Sequence, residues 1–302
     1  MEREIMERVN DEWGEHFIEM AKLRDRAVEE LQDLKWTTEQ FDKDPASILV
    51  LLLARAIGTL DLIRISLEHG YGVRSRNLIR SLIDLEIDAA LLSTPDPELL
   101  LRYGAYEILE VARKAEQALT RIADSDEKAE ATTARRDVLR QALLLMNREV
   151  PPGFETTALG EAADIFALEV FNRRYPPHWR LPLLREDWLN LAVGQLAEAA
   201  PSAIGDSAPA EGILWEIEYA YMWCSEAVHV SPRSVAESTV RDDGGALIGF
   251  VIGGQVTEIP SSWYMAGLHF VRMRLLVGAH VALPQHEDWT DLYKRFVADL
   301  FE

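Results

Sequence analysis

Arg74-Ser75-Arg76-Asn77-Leu78-Ile79-Arg80-Ser81-Leu82-Ile83-Asp84-Leu85-Glu86-Ile87-Asp88-Ala89-Ala90-Leu91-Leu92 is the stretch on which the reading of this chain turns. Its apolar residues (Leu78, Ile79, Leu82, Ile83, Leu85, Ile87) recur at three- and four-residue steps rather than alternating, which predicts a largely buried α-helix. Arg76, Arg80, Asp84 and Asp88 repeat every four residues and form one charged stripe along it. Bases toward the amino end and acids toward the carboxyl end oppose the helix dipole, at about 0.3–1 kcal/mol each when exposed. Helix stability therefore does not explain the stripe. Two readings stay open. One is a solvated stripe of weak ion pairs, each worth about a few tenths of a kcal/mol. The other is a charged pair that points into the bundle toward a partner elsewhere in the chain.

Working outward, helical periodicity persists. Residues 1–35 read as one long amphipathic helix with Ile5, Val9, Trp13, Phe17, Met20, Leu23 and Val28 on one face. Asp44-Pro45 opens a second helix in cap-then-proline order, and Gly70-Tyr71-Gly72 closes it. After the 74–92 helix, helices are expected at about 97–123 and 134–148, with the polar run 124–133 as a connection. Pro151-Pro152-Gly153 then breaks the chain, and further helices are expected at 160–174, 186–199, 210–230, 262–281 and 287–301. A small-residue linker spans 201–212. Two β-rich runs around Gly253-Gly254 predict a hairpin near 246–259. The expectation is an all-α, multi-helix bundle of about ten helices with one small β-hairpin. Residues 1–44 form an N-terminal helix, a candidate dimerisation arm, and residues 45–302 form a helical domain with the polar cluster. A homodimer is expected.

The chain has 302 residues, 48% of them apolar, enough for a sizeable core. Its formal charge of −20 disfavours nucleic acid and anionic membranes as partners. The charge is uneven: residues 1–44 carry −7, 45–150 only −2, and 151–302 carry −11. An anionic ligand meets least opposition in the middle stretch. The lone cysteine, Cys224, excludes an internal disulfide framework and suits a reducing compartment. Met1-Glu2-Arg3-Glu4 is too acidic for a signal peptide, and no uncharged apolar run reaches membrane-spanning length. A cytoplasmic protein is expected.

Phosphate-loop, dinucleotide, nucleophile-elbow and His-Glu-x-x-His motifs are absent. A di-metal carboxylate bundle needs two Glu-x-x-His pairs, and Glu226/His229 is a single match, so no metal and no cofactor are expected. Arg-x(4–6)-His, the pattern of metal-independent HEPN ribonucleases, occurs as Arg64/His69, Arg173/His178 and Arg274/His280. About two such matches arise by chance in this composition. Pro176-Pro177 also removes the second from any helix.

A partner for the charged stripe is available in Ser225-Glu226-Ala227-Val228-His229-Val230-Ser231, which Pro232 terminates. At the end of a helix His229 favours its imidazolium form, and a nearby Asp84 would strengthen that preference. Ser225 lies one turn earlier on the same face. The plainer reading is a histidine that caps helix carbonyls.

Arg80-Ser81-Leu82-Ile83-Asp84 and Ser225-x-x-Val228-His229-x-Ser231 together resemble a bacterial domain-of-unknown-function family, "fifty-six seventy-seven". Its members are all-helical and carry an Arg-Ser-Leu-x-Glu helix and a later Ser-x-x-Val-His-x-Ser turn. The segment from His178-Trp179-Arg180 to Arg185-Glu186 is similar to the family's tryptophan-containing turn, and the resemblance covers about 45–235. Asp84 stands where the family has glutamate. The family brings no established activity. The resemblance implies that Arg80, Asp84 and His229 meet in space.

The expected site is thus a polar cluster of Arg80, Asp84, Ser225, His229 and Ser231. It would take a small anionic or polar ligand, with Arg80 as the forked donor and Asp84 orienting it. The leading reading is a helical binding or regulatory protein, with host defence or stress response as an analogy. The alternative is a HEPN-like ribonuclease in which His229 serves as acid or base and Arg80 steadies the phosphorane. Paired buried charges that only lock helix register remain the structural reading.

Overall fold

The structure, a computed structural model, describes residues 2–35, 37, 46–93, 97–122, 124–174, 219–224, 239–241, 244, 247–250, 256–281, 283 and 287–298. The architecture is all-helical, with eight α-helices and the short helical segment 219–224 among the described residues. The chain divides into two compact units, one of residues 1–93 and 189–302, the other of residues 94–188.

In the first unit, α1 (Glu2–Gln32), α2 (Ser47–Glu68) and α3 (Gly72–Leu92) pack in succession. α7 (Ile259–His280) lies against α1, α2, α3 and α8 (Glu287–Ala298). Of the apolar stripe of α1, Val9, Phe17, Met20 and Leu23 are buried and Ile5, Trp13 and Val28 half-buried, and α1 lies along α2. The turn from α2 into α3 is a Schellman cap. Gly70 adopts φ +78°, Tyr71 N–H donates to Ser66 C=O, and Gly70 N–H donates to Leu67 C=O. A Cβ at Gly70 would also stand 2.9 Å from Ile5 Cγ2, so glycine serves both the left-handed turn and the approach of α1.

α3 and α7 are buried on nearly every side. Their apolar surface forms the centre of the unit, and each polar side chain they carry inward requires a partner.

The second unit consists of α4 (Pro97–Leu119), α5 (Ser125–Leu145) and α6 (Leu159–Phe171), packed pairwise around Leu109, Leu139, Leu143, Phe154 and Phe166. α5 begins at Ser125, not near 134: the polar run read as a connection is its first half. Asp124 accepts from the N–H groups of Asp126 (2.8 Å) and Glu127 (3.0 Å), a strong N-cap, and the run is polar because it faces water.

The hairpin expected over 246–259 takes a different form. The antiparallel pairing joins Thr239–Arg241 to Leu247–Phe250, with an irregularity between Val240 and Arg241. Val256–Glu258 is a 3-10 turn that leads directly into α7, three residues earlier than expected. Pro260 in the first helical turn favours that start, and Glu258 is engaged by α3 as described below. Gly253-Gly254, the 186–199 helix, the 201–212 linker and most of the 210–230 helix lie outside the described residues. Among the described residues, no helix is long and apolar enough to cross a membrane.

Candidate functional site

The charged stripe of α3 is not a solvated one. Arg76, in the first turns of the helix, is only 2% exposed, while Arg80, Asp84 and Asp88 are half-buried. Arg76 Nε donates to Glu258 Oε2 at 2.6 Å, and its Nη2 reaches Oε1, a fork-to-carboxylate pair that joins α3 to the turn before α7. The guanidinium also lies 4.5 Å from the ring centre of Trp223.

One turn on, Arg80 meets the same 219–224 segment. Its Nη2 donates to Tyr221 Oη at 2.8 Å, and its guanidinium carbon lies 4.8 Å from the Tyr221 ring centre. These contacts span 141 residues of sequence. Cys224 of the same segment is fully buried. Burial pushes its thiol up to about 12; Arg76 and Arg80 pull the other way, and Asp84 and Glu258 add to the rise. The thiol is therefore protonated and unreactive at neutral pH.

Of the residues expected at the site, Arg80 thus meets the 219–224 segment, Asp84 stands half-buried one turn further along α3, and Ser225, His229 and Ser231 lie outside the described residues. What the sequence reading missed on this face are Tyr221, Trp223 and Glu258. The aromatic pair was legible as a spacing of two in Tyr221-Met222-Trp223, next to the motif that was singled out.

A second cluster was missed altogether. Glu86, on a different face of α3 from Arg80, is completely buried with His269 and Arg272 of α7. Arg272 Nε donates to Glu86 Oε1 at 2.7 Å and Nη2 to Oε2 at 3.3 Å. His269 Nδ1 lies 2.6 Å from Oε2. Placing the Nδ1 proton toward Glu86 gives the carboxylate a donor on each side, and Arg272 Nη2, 2.9 Å from Nδ1, then adds charge rather than a hydrogen bond. Burial alone would push the Glu86 carboxyl up; the charge of Arg272 and then that of His269 outweigh it and hold it below the ordinary range. His269 Nε2 is buried without a hydrogen-bond partner among the described residues. The available signal was His269 and Arg272 at i, i+3 in an otherwise apolar helix.

A third inward pairing holds α1 to α7 and α8. Arg274 Nε and Trp289 Nε1 (2.7 Å) both donate to Glu30, and Arg274 and Arg26 lie over the Trp289 ring. Arg274, one member of an Arg-x-His match, is therefore committed to packing. Arg64, from another, is held by Asp61 and Glu68, and His69 turns Nδ1 to Ile65 C=O at 2.8 Å. His178 and the Glu226/His229 pair lie outside the described residues, among which no group of three His, Cys, Asp or Glu side chains is placed to hold a metal.

A family described as "Family of unknown function (DUF5677)" matches residues 46–246, about two thirds of the chain. The match covers α2 to α6, the 219–224 segment and the first strand. No curated protein and no solved structure matches.

Proposed function

The chain belongs to the DUF5677 family of unknown function, and from that premise we propose that it is a non-catalytic binding or regulatory protein. Its ligand is small and anionic or polar, and it is held between α3 and the segment that begins at Tyr221. The observation that carries this reading is the Arg80–Tyr221 hydrogen bond at 2.8 Å. It fastens the Arg80–Asp84 motif to a residue four positions before Ser225, the first residue of the second motif.

Arg80 is half-buried, and Nη2 has two N–H groups of which Tyr221 takes one; the other stays parallel to an N–H of Nε or of Nη1, whichever side Tyr221 leaves, as a pair of donors among the described residues. Such a fork suits a carboxylate or phosphate oxygen pair. Tyr221 fixes the guanidinium from its ring face, Asp84 balances the charge, and Ser225, His229 and Ser231 supply further polar groups. Residues 45–150 carry only −2, so the field there opposes an anion less than elsewhere in the chain.

The test is a calorimetric and thermal-shift panel of inorganic phosphate, sulfate, acetate and adenosine monophosphate on the full chain. At least one probe is expected to bind, and Arg80→Ala and His229→Ala are each expected to weaken it about tenfold or more, which is about 1.4 kcal/mol. Arg80→Lys should recover only part, because an ammonium cannot present two parallel donors. Absence of binding by every probe, or an Arg80→Ala variant that binds as well as wild type, would overturn the reading. Cleavage of a single-stranded RNA by wild type but not by His229→Ala would replace it with the ribonuclease.

A further inference from the structure

α2 buries one face and leaves an apolar stripe on the other. Leu51 is 55% exposed, Leu62 54% and Ile65 38%, with Ala54, Arg55 and Gly58 also exposed. Leu51, Gly58 and Ile65 are seven residues apart, two helical turns each, and Ala54/Arg55 and Leu62 fill the intervening turns. The stripe is continuous and lies on a rigid helix, unlike the singly scattered leucines normal on a surface. At its centre Gly58 has open space where a Cβ would be, so nothing among the described residues explains a glycine in mid-helix.

The stripe is complementary to itself. Set antiparallel to its own copy with a two-fold axis at Gly58, each residue i meets residue 116 − i. Leu51 then faces Ile65, Ala54 faces Leu62 and glycine faces glycine, so the backbones approach closely where the helices cross. The one charge in the stripe follows the same rule. Arg55 meets Asp61, and each side chain is open to that encounter. The Arg55 guanidinium has no partner among the described residues. Asp61 accepts from Arg24 and Arg64 through Oδ1 alone, leaving Oδ2 open. A two-fold operator makes every such contact twice.

We propose that the outward face of α2 is the interface of a two-fold symmetric homodimer, with antiparallel α2 helices crossing at Gly58. It is independent of the ligand reading. Four residues of the α1 stripe are buried within the chain, so the proposed dimer rests on α2 and not on α1.

Light scattering and sedimentation of the full chain are expected to give twice the 34.2 kDa chain mass. Leu62→Glu is expected to give the monomer mass with unchanged helicity and melting. Cysteine cross-linking then reads the register. Gly58→Cys is expected to form an intermolecular disulfide on oxidation, whereas wild type, whose Cys224 is buried, forms none. Leu51→Cys alone is expected not to cross-link, because its two copies lie about 21 Å apart along the helices, while a mixture of Leu51→Cys and Ile65→Cys does. A monomer mass at 100 µM, or a dimer indifferent to Leu62→Glu and not cross-linked at residue 58, would overturn the proposal.

Discussion

At the scale of single residues, the buried charges respond most sharply to change. Glu86 and Arg272 neutralise each other out of water, so removing one leaves the other charged in a medium that cannot solvate it. Arg272→Met is expected to destabilise the chain by about 3–5 kcal/mol in denaturant unfolding, and the pair Glu86→Gln, Arg272→Met to recover most of that. A single-variant loss under about 1 kcal/mol would mean the pair is wetter than its burial indicates. The pH dependence follows from the sign of the shift. The folded carboxyl titrates below the unfolded one, so its contribution is present above the ordinary glutamate range and is lost as pH falls through the lower folded value. Melting temperature should therefore fall on acidification, and Glu86→Gln should flatten that fall. Cys224 shifts in the opposite direction. Its thiol, at about 12, should stay unreactive toward alkylating reagents at pH 8 in the native chain and react once the chain is unfolded.

At the scale of elements, two junctions are decided by backbone geometry. The α7–α8 contact depends on Gly267, where a Cβ would run into the Phe296 ring. Gly267→Ala is expected to destabilise by about 1–3 kcal/mol through overpacking, and Phe296→Leu in the same chain to relieve part of it. Equal melting curves for wild type and Gly267→Ala would show that α8 yields freely. At the start of α5, Asp124 holds two N–H groups that otherwise lack partners. Asp124→Ala should speed amide exchange in the first turn of α5, and Asp124→Asn, which keeps the acceptor, should not. The same acceptor role explains why the Asp124 carboxyl lies below its usual range, since the N–H groups of Glu127 and Asp126 favour the ionised form.

At the scale of the whole molecule, the −20 charge acts on everything at once. Compaction brings the surplus carboxylates closer together, and added salt screens that repulsion beyond a Debye length of about 10 Å at 0.1 M. Raising sodium chloride from 20 to 200 mM is therefore expected to raise the melting temperature. A fall instead would mean that ion pairs such as Arg76–Glu258 outweigh the net repulsion.

Much of this protein was legible before any coordinates. Helical periodicity, the glycine punctuation at Gly70 and the length of the apolar runs placed α1, α2, α3, α4, α6 and α7 within a few residues, because burying one face of a helix forces that pattern on the sequence at short range. The family resemblance read from the sequence is borne out by the match over residues 46–246. Other features were decided only in three dimensions. Asp84 and Glu86 are two residues apart on one helix, yet Glu86 is buried between Arg272 and His269 while Asp84 stays half-buried. Val256-Thr257-Glu258 reads as a strand and folds as a 3-10 turn whose Glu258 carboxylate accepts from Arg76. The face a charge takes, and the partner it finds 180 residues away, depend on how helices pack rather than on local order. Desolvation energy is set by the neighbours that the tertiary structure supplies.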